Sequence, residues 1–217
     1  MKTDLDNGGI KMHGFIDYVI EYKYLVLLLV VATVAMLLMF RKAGASVAKN
    51  RAEKEKLIKK LDHMKMIRET YSDLSCEKIL ADETEYLLEG VADNIQVRLE
   101  KSGDMNASFE ELKEEEKLVY SLHYFIEESE NAPSEFFRNY TKPLTPYALQ
   151  MCEKITDEAS FRLIRKLYDC YDEDNETESV IKEAIDELDE KIKASVDMKN
   201  LKMKGAEFIK ENVENFA

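Results

Sequence analysis

The sequence predicts an all-α protein: one transmembrane helix with a helical stalk, then a compact multi-helix domain. Three observations carry that expectation. The 217 residues include only 7 Gly, 3 Pro and no Trp, and they abound in Glu, Lys, Leu and Ile, which together favour helix over sheet. Apolar residues recur at three-and-four spacing from residue 57 onward, and no segment sustains the alternation of a strand. A hydrophobic share of 45% suits a chain with a packed core.

Charge divides the chain. The net charge is −13, but residues 1–70 hold 13 Lys/Arg against 8 Asp/Glu, net +5, and the remainder holds 18 against 36, net −18. A basic front precedes a strongly acidic body. The three cysteines, Cys76, Cys152 and Cys170, are widely spaced. They suggest neither a disulfide framework nor a zinc knuckle, and a reducing compartment follows; each reads as a small core hydrophobe.

Residues 1–23 read as a short extracytoplasmic N-terminus. The run "YLVLLLVVATVAMLLMF", residues 24–40, carries no charge; at about 1.5 Å per residue it spans about 25 Å, the short end of a bilayer crossing. Tyr22 and Tyr24 sit where an interfacial aromatic belt would lie. A cleavable leader fits less well, since four acids precede the run and Arg41-Lys42 follow it directly. Lys2, Lys11 and Lys23 flank it on one side; Arg41, Lys42, Lys49, Arg51, Lys54, Lys56, Lys59 and Lys60 flank it on the other. Positive residues stay cytoplasmic, so the N-terminus is expected outside a cell membrane and the body inside. The expected lipid contacts are residues 24–40 and this basic flank, which anionic headgroups would attract. The glycosylation-type triplets at Asn106, Asn139 and Asn175 then lie on the wrong side to matter.

Residues 41–73 read as a basic juxtamembrane helical stalk, with Leu57, Leu61, Met64 and Ile67 at helical spacing. Residues 74–217 read as the acidic domain. A helix is expected over roughly 76–101, with Leu87, Val91, Ile95 and Leu99 on one face and Gly103 as a left-handed stop. Ser108 and Glu111 have the spacing of a capping box. The helix that follows places Leu112, Leu118, Val119, Leu122, Phe125 and Ile126 on its apolar face, and Glu110, Glu114, Lys117, Ser121 and Glu128 on its solvated face. Pro133 ends it and biases Ala132 away from helical angles. Ser134 is expected to cap a short helix whose Phe136 and Phe137 fold back into the core. Thr145-Pro146 opens the next helix, buried through Leu149, Cys152 and Ile155. Thr156 caps another to about Cys170, buried through Phe161, Ile164, Leu167 and Tyr168. "DEDNETE" is a loop, followed by helices over about 178–194, buried through Ile181, Ile185, Leu188 and Ile192, and about 198–214, ending at Phe216.

The stretch from Leu112 to Ile155, "LKEEEKLVYSLHYFIEESENAPSEFFRNYTKPLTPYALQMCEKI", resembles the bacterial DNA-mimic protein family, otherwise a domain of unknown function. Glu128, Asn131, Phe136, Phe137 and Asn139 match the family's box, and the similarity extends from about residue 80 to Phe216. The family's Gly-Gly-Phe turn is replaced here by "APS", and its Gln by Glu135. The resemblance implies an all-helical fold and, from the family's best-known member, an acidic protein that occupies a DNA-binding regulator.

No Gly-rich phosphate loop, paired-cysteine zinc spacing, HExxH or nucleophile elbow occurs. No catalytic, cofactor-binding or metal residue is therefore assigned, and the chain reads as no enzyme. His13, His63 and His123 are far apart. Asp172, Asp174, Glu176, Glu178 and Glu183 take EF-hand positions 1, 3, 5, 7 and 12, but Thr177 stands where glycine is required. The expected role is a membrane-anchored protein-interaction module with a basic protein as partner and Glu110, Glu114 and Glu128 as candidate contacts. The alternative is a mimic of DNA that sequesters a basic DNA-binding protein; a further alternative is an enzyme without a recognisable motif. Direct nucleic-acid binding is not expected of so acidic a body. The sequence sets no oligomeric state.

Overall fold

The structure, a computed structural model, describes residues 22–171 and 182–217. The expected outer segment with His13, and the acid-rich loop with its EF-hand-like spacing and Asn175, lie outside these residues. So do Ile181 and the side chains of Arg41, Lys42, Lys49 and Arg51. The chain divides into two compact units at Asp62–His63.

Among its described residues the first unit is helical. Helix α1, Lys23–Thr70, takes in the apolar run and the basic stalk. Of the run, the described side chains are Leu27–Leu29, Val31–Thr33 and Met36, all exposed. Thr33 folds its hydroxyl back onto the Leu29 carbonyl at 2.7 Å, so its polar group is satisfied within the helix. Among the described residues no helix is long and apolar enough to cross a membrane. The expected transmembrane helix is therefore not established by the fold; its residues open a 48-residue helix.

The second unit, residues 63–217, is all-α among its described residues. After α1 come α2 (Cys76–Ala81), α3 (Leu87–Ser102), α4 (Met105–Glu111), α5 (Glu114–Ser129) and α6 (Pro133–Asn139). Then follow α7 (Leu144–Ile155), α8 (Glu158–Asp169), α9 (Lys182–Ser195) and α10 (Met198–Glu211), with a 3-10 turn at Val213–Asn215. Helix α5 is the axis: α3, α6, α7 and α10 all pack on it, α8 packs on α7, and α9 lies against α8 and α6. Leu118, Val119, Leu122 and Phe125 of α5 are fully buried, together with Leu88, Val91 and Ile95 of α3, Met151 and Cys152 of α7, and Ile209 of α10. At Gly205 a Cβ would stand 2.9 Å from Leu122 and 3.1 Å from Leu88. Glycine is what lets α10 approach this closely.

Several expected boundaries move. The helix expected over 76–101 is two helices. Asp82 takes the Thr84 amide at 2.7 Å and Thr84 the Tyr86 amide at 3.2 Å; these side-chain turns compete successfully with the helical ladder. Leu87, Val91, Ile95 and Leu99 are buried, and Gly103 ends α3 at φ 82°, as the left-handed stop requires. Ser108 does not cap: Asp104 does, accepting from the Ala107 amide at 3.1 Å. The capping-box contact belongs to α5, where Glu116 accepts from the Lys113 amide at 3.0 Å. Asp157 replaces Thr156 as the cap of α8 and accepts from Ala159 and Ser160. α7 begins at Leu144, ahead of Thr145, which is itself buried. Cys76 is exposed rather than core; Cys152 is buried and Cys170 half-buried.

Candidate functional site

The box residues come from the end of α5 and from α6, and the backbone breaks between them. Ala132 is extended at φ −156°, ψ 136°, and Pro133 is the first helical residue of α6, where its missing N–H costs nothing. Phe136 and Phe137 turn inward, 0% and 5% exposed. Phe125 meets Phe136 edge-on at 5.5 Å and Phe137 at 5.8 Å; Phe137 continues to Tyr168 at 5.8 Å and Tyr171 at 6.3 Å. Tyr140 lies 5.3 Å from Phe136 and 5.6 Å from Tyr124. Such offset and edge contacts add to burial, so the box is a structural aromatic joint between α5, α6 and α8. Burial, with Glu128 close by, pushes the Tyr140 hydroxyl up to about 12.

Glu128 belongs to this joint. It accepts from Asn139 Nδ2 at 3.3 Å, and its carbonyl takes the Asn131 amide at 3.2 Å. The Glu128–Asn139 contact thus ties the end of α5 to the end of α6 across the break, and Asn131 closes the last turn of α5. Ser134 is not the cap. Its amide and hydroxyl donate to the Asp189 carboxylate at 2.8 and 2.6 Å, buried on both sides. A residue 55 positions away on α9 satisfies the open helix end, and nothing local in the sequence points to it.

The candidate contact residues are not brought together. Glu110 lies in the last turn of α4 and is exposed; Glu114 starts α5 and is exposed; Glu128, half-buried, lies fourteen residues further along, about 21 Å at helical rise. Each has an internal partner. Lys117 approaches Glu110 at 3.4 Å, Gln150 donates to Glu114 at 3.2 Å, and Asn139 donates to Glu128. Glu110 and Glu114 share one end of the domain with exposed Glu111 and half-buried Glu115.

Two residues expected on the solvated face are buried instead. Lys117 is 8% exposed and Ser121 0%. Helix α5 is enclosed on several sides, so one apolar stripe cannot describe it. The Lys117 ammonium donates to the Glu110 carbonyl at 2.8 Å and stands 5.8 Å from the Phe109 ring and 5.5 Å from the Tyr147 ring. Cation–π contact and hydrogen bonding give the buried amino group its partners.

A second polar cluster joins the last turns of α1 to the body. His63 Nε2 lies 2.8 Å from Glu89, which also faces Lys202 at 3.5 Å; Arg68 reaches Asp93 at 3.0 Å. Tyr71 packs on Gly90 and donates to Asp82 at 2.6 Å. His123 lies 3.8 Å from Glu127, and burial depresses its pKa below the usual range despite that carboxylate. Among the described residues no group of three His, Cys, Asp or Glu side chains could hold a metal ion. A groove of about 250 Å³ runs between residues 82–87 and α10, past Lys199, Met203 and Lys210.

Residues 110–212 match the family model described as DMP19-like protein. This is the DNA-mimic family that the box residues resemble. The match takes in α5 through α10 with the whole box, and it begins later than residue 80, leaving α2 and α3 outside. No curated protein and no solved structure matches. The stretch from Glu110 to Asn212 is thus similar to DMP19-like proteins.

Proposed function

We propose that this protein is a membrane-anchored, acidic, helical protein-interaction module, its N-terminus outside and its body in the cytoplasm. The observation that carries the reading is the DMP19-like match over residues 110–212, a stretch with 26 Asp/Glu against 15 Lys/Arg. The two phenylalanines of its box face inward and build the scaffold, and the surface charge is left to meet a partner. A basic protein is the partner this charge would steer and hold. The role is binding rather than catalysis.

The placement of charge sharpens the candidate contacts. Glu110 and Glu114 occupy one end with Glu111 and Glu115, whereas Glu128 serves the α5–α6 joint. The first two are the contact residues of this reading, and Glu128 is a positioning residue. The family match also supports a second reading, in which the carboxylates imitate duplex phosphates and occupy a DNA-binding protein. A tether to the membrane favours the general protein-binding role.

The test is capture of partners by detergent-solubilised full-length protein across a salt series, with duplex DNA as competitor. Screening shortens from about 8 Å at physiological ionic strength to about 3 Å at 1 M, so a basic partner should be lost steeply as salt rises. Glu110→Lys with Glu114→Lys should abolish capture. Competitive displacement by DNA would select the mimic. A neutral partner retained at high salt would overturn both readings.

A further inference from the structure

The helices of the domain are unequally anchored. The sixteen-residue α5 buries nine side chains, whereas the fourteen-residue α9 buries only Asp189 and Ile192. Ile185 and Leu188 add partial apolar contact. The outer face of α9 is charged and holds itself together: Lys191 pairs with Glu187 at 2.7 Å and Lys193 with Glu190 at 3.8 Å. Such pairs support the helix without fastening it to anything else. One of its two buried side chains is a carboxylate, and that carboxylate is the contact that completes the N-terminus of α6, through Ser134.

We propose that α9 is a strap that opens as a unit from α6 and α8 while α3, α5, α7 and α10 stay folded, with Asp189 on Ser134 as its latch. A polar latch suits this use. On opening, the carboxylate, the Ser134 hydroxyl and the Ser134 amide each regain a hydrogen bond from water, so only the small net value of the contact is lost. An apolar anchor of equal size would resist opening more, because its surface would be returned to water. Elements with few buried apolar contacts are the ones that open below the global unfolding limit. Opening uncovers the first turn of α6, directly before Phe136 and Phe137. A partner that prefers the uncovered turn would shift the population of the open state. The inference does not rest on the acidic-surface reading, because opening can be measured with no partner present.

Native-state hydrogen exchange on the full-length protein, read peptide by peptide, tests it. In the unaltered protein the α9 amides should exchange at least about tenfold faster than those of α5 and α7. Asp189→Ala should accelerate α9 and the first turn of α6 by about tenfold more, leaving α5 and α7 unchanged, and Glu190→Ala should change neither. Should Asp189→Ala fail to fold, Ser134→Ala, which removes only the hydroxyl contact, should give the same selective pattern at smaller amplitude. Equal protection of α9 and α5 in the unaltered protein would overturn the proposal. So would a variant that accelerates every helix together.

Discussion

Individual residues show how burial decides their roles. Phe137 touches Phe125, Phe136, Tyr168 and Tyr171 at once, so its removal leaves a cavity that three helices line. Phe137→Ala should cost about 3–5 kcal/mol, which lowers the melting midpoint by roughly 6–20 °C for a domain of this size. A midpoint unchanged in thermal denaturation would mean that the ring is not part of the core. His123 acts in the opposite sense, through pH. Burial holds its folded pKa below the unfolded value of about 6.5, with Glu127, Glu89, Asp93 and Lys202 around it. The unfolded chain therefore takes up the proton first as pH falls. The stability of the neutral ring is complete above about 6.5 and is lost as pH drops through the depressed folded value, by at most about 1.4 kcal/mol per pH unit. His123→Gln should flatten denaturation midpoints between pH 7 and 5 relative to the unaltered protein; parallel curves would show that the ring is not what titrates. The sequence shows His123 far from the other two histidines and assigns it no proton chemistry. That follows from its neighbours: Glu89 and Lys202 come from α3 and α10, far away in the chain.

At the scale of elements, the helical periodicity located every described helix except α2 and α4 as separate pieces, because amphipathic spacing is a property of contiguous residues. What it missed has physical reasons. Asp82 and Thr84 break the expected second helix through side-chain hydrogen bonds that periodicity does not register. Asp157 stands beside Thr156, and both are good caps, so the boundary slipped by one residue. Lys117 and Ser121 looked solvated because a single stripe was assumed for a helix that is surrounded. The trans cap of Asp189 on Ser134 depends wholly on tertiary packing. The junction of α1 and α3 is another such feature, and it can be tested. A Cβ at Gly90 would lie 2.2 Å from the Tyr71 ring, and that ring is fixed by its hydroxyl on Asp82 and Thr84. Gly90→Ala gains up to about 1 kcal/mol of helix propensity but forces an overpacked contact worth about 1–3 kcal/mol. The net effect should be destabilising by about 1–2 kcal/mol. In a Tyr71→Ala background the clash is gone, and Gly90→Ala should become neutral or stabilising in denaturant unfolding. The same loss in both backgrounds would refute the idea that Tyr71 is what glycine accommodates.

For the whole molecule, the division of charge and the apolar run make one joint prediction. A body of net −18 is repelled by an anionic leaflet, whereas the eight Lys/Arg between residues 41 and 60 are drawn to it, each by about 1 kcal/mol near the surface. Electrostatics alone would give peripheral binding that high salt reverses. The uncharged seventeen-residue run, whose Leu27, Leu28, Leu29 and Val31 are exposed, adds a term that salt does not screen. Full-length protein should accordingly stay with membranes through both 1 M salt and an alkaline wash. Leu28→Arg together with Val31→Arg should release it, since each charge at mid-span costs about 2.5–3.5 kcal/mol. Orientation is tested on intact cells. With eight basic residues after the run against three before it, protease added outside should leave residues 71–217 intact. Release by salt alone would reduce the run to an ordinary helix and the attachment to the basic stalk. Loss of the body to external protease would instead keep the anchor and reverse its direction, removing the domain from any cytoplasmic partner.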